Sequence, residues 1–231
     1  MIRDSRFKIQ DFAWLLALLI LAPFLFAQDT PSSPSAPAGV SLLANGDFAI
    51  PDTADPGKPA HWDKPDGLGV QWIEVPATPG QPARGKAICL NTAISEQAMV
   101  QQWAKMGITQ WVIPKPAINS ISDTYGLSFY SDAMPVKAGQ SYRVTFDFMS
   151  AGPKGKLWVR GYGLNGAEHR RLYETIVFCD PTKGAWQTFS QLFTPTKFRP
   201  NVTEMKVMLY AYHPPGVCWY DNIRIEEASP K

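Results

Sequence analysis

Cysteine, histidine and charge are all scarce in this chain. It carries three cysteines and three histidines among 231 residues, and 18% of its residues are charged. Cys89, Cys179 and Cys218 lie far apart, with no Cys-x-x-Cys and no Cys/His grouping of the kind that wraps zinc, so nothing supports a zinc site. An odd count leaves at least one thiol unpaired within the chain. Either Cys179 pairs with Cys218, both in the C-terminal half, or all three act as small buried hydrophobes. The net charge is +2 and no basic run occurs, which gives a nucleic-acid role no electrostatic support. There is no nucleophile elbow, no His-Glu-x-x-His and no phosphate loop. Asp132, Asp147, Glu168 and Glu174 could serve a glycosidase or lyase, but nothing marks two of them as a working pair.

Apolar and aromatic side chains are plentiful. Hydrophobic residues make up 45% and aromatics 12%, with eight tryptophans, enough for a packed core. The start is distinctive. Arg3, Arg6 and Lys8 precede the apolar run Asp11–Ala27, which is shorter than the ~20 residues of a spanning helix. Pro23 breaks it just before Ala27. This reads as a signal peptide cut after Ala27, or as an uncleaved N-terminal helix anchoring the body outside the membrane. Both place the body in the periplasm or beyond. Residues 28–40, rich in Pro, Ser and Ala, read as an extended linker. The body is then 41–227, with a short tail at 228–231.

Within the body the signals are strands and turns. Tyr142–Met149 alternates cleanly, with Tyr142, Val144, Phe146 and Phe148 on one face. Lys156–Tyr162, Trp186–Phe193, Glu204–Tyr212 and Val217–Ile225 read as further strands bounded by Gly, Pro or Asn. One stretch, Ile94–Lys105, reads helical, capped by Ser95 and ended by Gly107. Gly107–Asp123 reads as an inserted loop over one edge of the body, with Trp111 buried into it, and Gly163–Tyr173 as a polar loop carrying Glu168, His169, Arg170 and Arg171, either a grip for an acidic sugar or partner protein or a solvated connection between strands. The expected fold is all-β: a jelly-roll sandwich of two antiparallel sheets with one short helix in an insertion.

Three segments carry a resemblance. Leu42–Phe48 (LLANGDF) is followed by Pro59-Ala60-His61-Trp62. Val136–Tyr142 (VKAGQSY) leads into Phe146-Asp147-Phe148. Trp219–Ile225 (WYDNIRI) closes the chain. In this order they resemble the opening, hairpin and closing motifs of carbohydrate-binding modules of families 4, 9 and 22, among the galactose-binding-like jelly rolls. They span about 41–227. Phe48 and Trp62 also read as plain core plugs, and Gly139 as a turn glycine. The resemblance implies a first strand lying beside the last. It also implies a structural calcium near that closure, with Asp221 matching the closing aspartate. Ala49 stands where the family has a glutamate, which leaves Asp47 or Asp52 to supply the other carboxylate.

The resemblance further implies a sugar site on a sheet face or end loops. Alternation supplies the candidates. If Leu157 and Val159 face inward, Trp158, Arg160 and Tyr162 face outward. If Met205, Val207 and Leu209 face inward, Met208, Tyr210 and Tyr212 share the other side, and Arg143, Thr145 and Asp147 oppose Phe146. Trp158, Arg160, Tyr162, Tyr210, Tyr212, Arg143 and Asp147 are thus expected to form one aromatic-polar surface suited to sugar rings. The functions that follow are an exported carbohydrate-binding protein, or a membrane-anchored subunit docking on an envelope complex.

Overall fold

A computed structural model describes residues 39–77, 83–109 and 113–229. The apolar start, nearly all of the linker and Trp111 lie outside the described residues. Among those described, no helix is long and apolar enough to cross a membrane.

Alternation decides the elements. In β5 (Ser141–Ser150), Tyr142, Val144, Phe146 and Phe148 are all fully buried. β6 (Gly155–Asn165) buries Leu157 and Val159, and β9 (Val202–Ala211) buries Met205, Val207 and Leu209. The other strands are β1 (Val70–Glu74), β2 (Lys86–Asn91), β3 (Leu127–Tyr130), the short β4 (Met134–Pro135), β7 (Glu168–Cys179), β8 (Gln187–Phe193) and β10 (Val217–Ala228). They form two antiparallel sheets, ordered β1-β2-β10-β5-β8 and β3-β9-β6-β7, with β4 pairing β9. One continuous core joins their inner faces. The expected two-sheet sandwich is what the chain forms.

The single helix, α1 (Glu96–Lys105), starts where Ser95 accepts the Ala98 N–H at 3.0 Å. It stops at Gly107, whose φ of +72° suits glycine. Glu96 accepts the Ala117 N–H, which ties the insertion back onto the helix.

Two expectations need correction. The opening segment is not a strand. Asn45 and Phe48 take positive φ, and the Asn45 side chain bonds Ile50 and Ala60, so the chain turns sharply here. It still lies against β10: Leu42 N–H donates to Ile225 O at 2.7 Å and Ile223 N–H to Gly46 O at 2.8 Å. A Cβ on Gly46 would sit 1.8 Å from the Ile223 carbonyl oxygen, so glycine is required. The turn seats Phe48 and Trp62 in the core. The two rings are 4.9 Å apart, Trp62 stacks on Phe129 at 5.7 Å, and each buried ring stabilises by roughly 2–3 kcal/mol. The second correction concerns residues 163–173. They are not a loop but the tip of a hairpin: β6 runs to Asn165, Gly166 turns, and β7 begins at Glu168.

The three cysteines are free and buried, and no Cys179–Cys218 bridge forms. Burial pushes the Cys89 and Cys179 thiols up to about 12 and Cys218 well above its ordinary value. Ellman's reagent at pH 8 is therefore expected to titrate none of the three within minutes in the native protein, and all three after denaturation. Rapid native labelling would contradict this packing.

Candidate functional site

Register places the outward residues of the second sheet in rows. Tyr130, Met208, Trp158 and Ile176 lie side by side across β3, β9, β6 and β7. The next row is Ser128, Tyr210, Lys156 and Phe178, and on the other side stand Lys206, Arg160 and Glu174. Tyr212 follows β9 and stacks on Tyr210 at 5.7 Å. Tyr162 stacks on His169 at 6.1 Å. Phe178 is 64% exposed, a large apolar ring left open to water. Met208 shares this face as expected but is covered by its neighbours.

Cations lie between the rings. The Lys156 ammonium is 4.6 Å from the Tyr212 ring centre and 5.5 Å from that of Phe178. Arg160 lies 5.0 Å over Trp158 and donates to the Tyr130 hydroxyl at 3.2 Å. Beyond Tyr130 and Tyr210 the face opens into a cavity of about 530 Å³ at the β3 edge, walled by Trp103 of α1, Tyr125, Asp63 and Asp66. This volume suits a small ligand. Tyr210 donates to the Tyr125 carbonyl at 2.6 Å, fixing the rim. Burial, reinforced by the Glu96 carboxylate, pushes the Tyr125 phenol up to about 12, so it stays a neutral donor. Burial also raises Asp66, although the Val70 and Leu68 amides oppose it.

The structure therefore brings together Trp158, Arg160, Tyr162, Tyr210 and Tyr212. Arg143 and Asp147 do not join them. Both project from β5 on the outer side of the first sheet, where Arg143 meets Ser190 and Asp147 accepts from Thr188 at 2.6 Å. Alternation had found the outward residues of each strand, but β5 belongs to the opposite sheet. Sequence reasoning missed Lys156, which shares the alternation of Trp158, and Phe178, whose strand was hidden behind the polar hairpin tip. Trp103 and Tyr125 had no local signal. The four carboxylates considered for catalysis do not assemble either: Asp147 is on the opposite sheet from Glu174, and Asp132 faces His61 at 3.3 Å.

At the sandwich closure, Asp47 and Asp221 line one shallow pocket with Arg84. Arg84 Nη1 lies 2.9 Å from both Asp221 Oδ2 and Asp147 Oδ2, with its guanidinium 4.0 Å over the Trp186 ring. Asn222 donates to Asp147 at 2.9 Å. Asp47 accepts from the Ala49 amide at 3.4 Å. Among the described residues no group of three or more His, Cys, Asp or Glu is placed to hold a metal. This donor set does not fit a calcium ion, because a guanidinium already stands against the carboxylates.

No protein-family model and no curated protein matches the chain. Solved structures do. The enzymatically active domain of bacteriophage CBA120 tailspike protein 4 is 8% identical with a TM-score of 0.50, covering 82% of this chain and 22% of its own. An arabinose-bound MgGH51 α-L-arabinofuranosidase is 15% identical with a TM-score of 0.50, covering 83% and 27%. The chain thus spans about a quarter of the length of these two enzymes. The CBM22-1 xylan-binding domain from Paenibacillus barcinonensis Xyn10C is 12% identical at a TM-score of 0.44, covering 85% of this chain and 100% of its own. TmCBM61 in complex with β-1,4-galactotriose, a family 16 carbohydrate-binding module and a CBM4 module also align, at TM-scores of 0.43, 0.41 and 0.40. The likeness is one of fold.

The closure yields a pH prediction. Burial raises both carboxyls; hydrogen bonds from Asn222, Thr188 and Arg84 bring Asp147 below its ordinary value, while Asp221 stays above. Asp147 thus adds stability above the ordinary carboxylate range that is lost as the pH falls through its folded value. Asp221 acts oppositely, disfavouring folding as the pH rises. In Arg84→Met both carboxyls lose a cause that lowers them, so the folded form holds its protons more tightly. The variant is expected to lose about 3 kcal/mol at pH 7 and progressively less toward pH 4, read by urea unfolding. A pH-independent loss would refute the assignment.

Proposed function

We propose that the chain is an exported, non-catalytic carbohydrate-binding protein that holds a glycan on the outer face of the β3-β9-β6-β7 sheet. One observation carries this reading: Trp158, Tyr210, Tyr212 and Phe178 stand on one side of one sheet, contiguous with the cavity beside Tyr130. Sugar rings present C–H faces that pack on aromatic planes, and their hydroxyls need polar groups alongside. Tyr130, Arg160 and Asp66 supply those groups. Similar folds occur in a xylan-binding domain and in a module solved in complex with β-1,4-galactotriose, in agreement with such a role.

Export is supported by the basic start and the apolar run ending at Ala27. N-terminal sequencing of the soluble and membrane fractions tells a cut signal from an anchor. The binding reading is tested by affinity electrophoresis through polysaccharide gels. Trp158→Ala is expected to bind about tenfold or more weakly, the loss of at least 1.4 kcal/mol typical of a central aromatic contact. Its thermal midpoint serves as the folding control. Unchanged retention of a folded Trp158→Ala on a gel that retards the parent rejects this face.

A further inference from the structure

Three nitrogen donors on this face lack an oxygen partner. Trp158 Nε1 and Arg160 Nε are buried and donate to no acceptor among the described groups. Lys156 is surrounded by the rings of Tyr212, Phe178, Tyr210 and Trp158, at 4.6 to 6.0 Å, and no described carboxylate pairs with it. The two buried nitrogens are closed to solvent, so the cation left for an acceptor supplied from outside is the Lys156 ammonium, ringed by aromatic faces with no described carboxylate against it.

Their placement is regular. Lys156, Trp158 and Arg160 alternate along β6, so all three project outward in one line. Glu174, the nearest carboxylate to Arg160, is 3.9 Å from Nε, too far for a hydrogen bond, and it lies closer to Arg171 at 3.3 Å. Lys206 stands across the strand from Arg160. In the three central rows the face thus carries Lys156, Arg160 and Lys206 against Glu174, three cations to one anion. Asp63 at the cavity wall lies close enough to Lys206 to attract it and Glu174 stands near Arg160, so the cation a neutral sugar would leave uncompensated is Lys156.

We propose that the ligand is an anionic glycan whose units carry carboxylates, a uronic-acid polymer. A sugar carboxylate meets the Lys156 ammonium beside Trp158, and the rings of Tyr210, Tyr212 and Phe178 take the sugar's C–H faces. The inference rests on the platform reading above. Nucleic acid fits less well: it needs a run of cations to match successive phosphates, and Glu174 and Glu204 interrupt this one.

The test uses the full chain against polygalacturonate and alginate, each beside its carboxyl-reduced counterpart, by affinity electrophoresis and calorimetry. At least one uronate polymer is expected to bind about tenfold or more tightly than its reduced form, and to weaken as salt rises from 50 to 500 mM. Lys156→Met, which keeps the stem against the rings, is expected to lower uronate affinity about tenfold and to weaken the reduced polymer several-fold less than the uronate. Equal affinity for charged and reduced polymers, unaffected by Lys156→Met, overturns the anionic class but leaves the platform standing. Failure to bind any of the four overturns both. Binding of a single-stranded oligonucleotide as tightly as the uronate also overturns it, since the face would then be a general polyanion surface.

Discussion

The pleat of a β-strand lets a residue face one way or the other, and in this sandwich the inward choice is made by burial. Leu157 and Val159 on β6, and Met205, Val207 and Leu209 on β9, are sealed against Tyr142, Val144, Phe146 and Phe148 of the opposite sheet. Moving β6 by one residue would put Trp158 and Arg160 into that apolar layer and Val159 into water, an exchange the core cannot tolerate. The outer face inherits its arrangement from this constraint. Trp158 lies beside Met208 and Lys156 beside Tyr210 because their neighbours cannot be anywhere but inside. The outer face and the core are two sides of one register.

That dependence also explains what the sequence reveals. β5, β6, β8, β9 and β10 are legible because their alternation is strong and their turns are marked by Gly and Pro. β7 is not, because its first residues, Glu168 to Arg171, are all polar: the strand there extends past the core and has no inner face to bury. The opening segment looks like a strand in composition, yet Asn45 forms side-chain bonds that favour a turn, and local bonding wins where few pairing partners compete. The division of candidate residues between two faces follows the same logic. Period two tells which residues of β5 look outward. It does not tell that β5 pairs with β10 and β8 while β6 pairs with β9 and β7, a choice made by contacts far apart in the chain. Arg84 lies deepest below that horizon, since its partner Asp221 is 137 positions away.

The two outer faces end up with different characters. On the first sheet, Ala87, Cys89 and Trp219 form a small cluster of their own with Val75, Met149 and Trp186, and the Arg84 carboxylate clamp stands beside it. Those groups satisfy one another. On the second sheet Phe178 remains open to water, and Trp158 Nε1 and Arg160 Nε have no acceptor among the described groups. The sandwich is thus asymmetric, its charged clamp on one exterior and its open aromatic rows on the other.

The contact between the first described residues and the last strand has a consequence for modularity. Gly39 offers its carbonyl to Arg224, and Leu42 to Gly46 run alongside residues 223 to 225. Entry to and exit from the body are therefore neighbours in space. A unit whose two ends leave side by side can be spliced into a surface loop of another protein without stretching its host, or strung in tandem with copies of itself, because neither end must cross the body to reach the next segment.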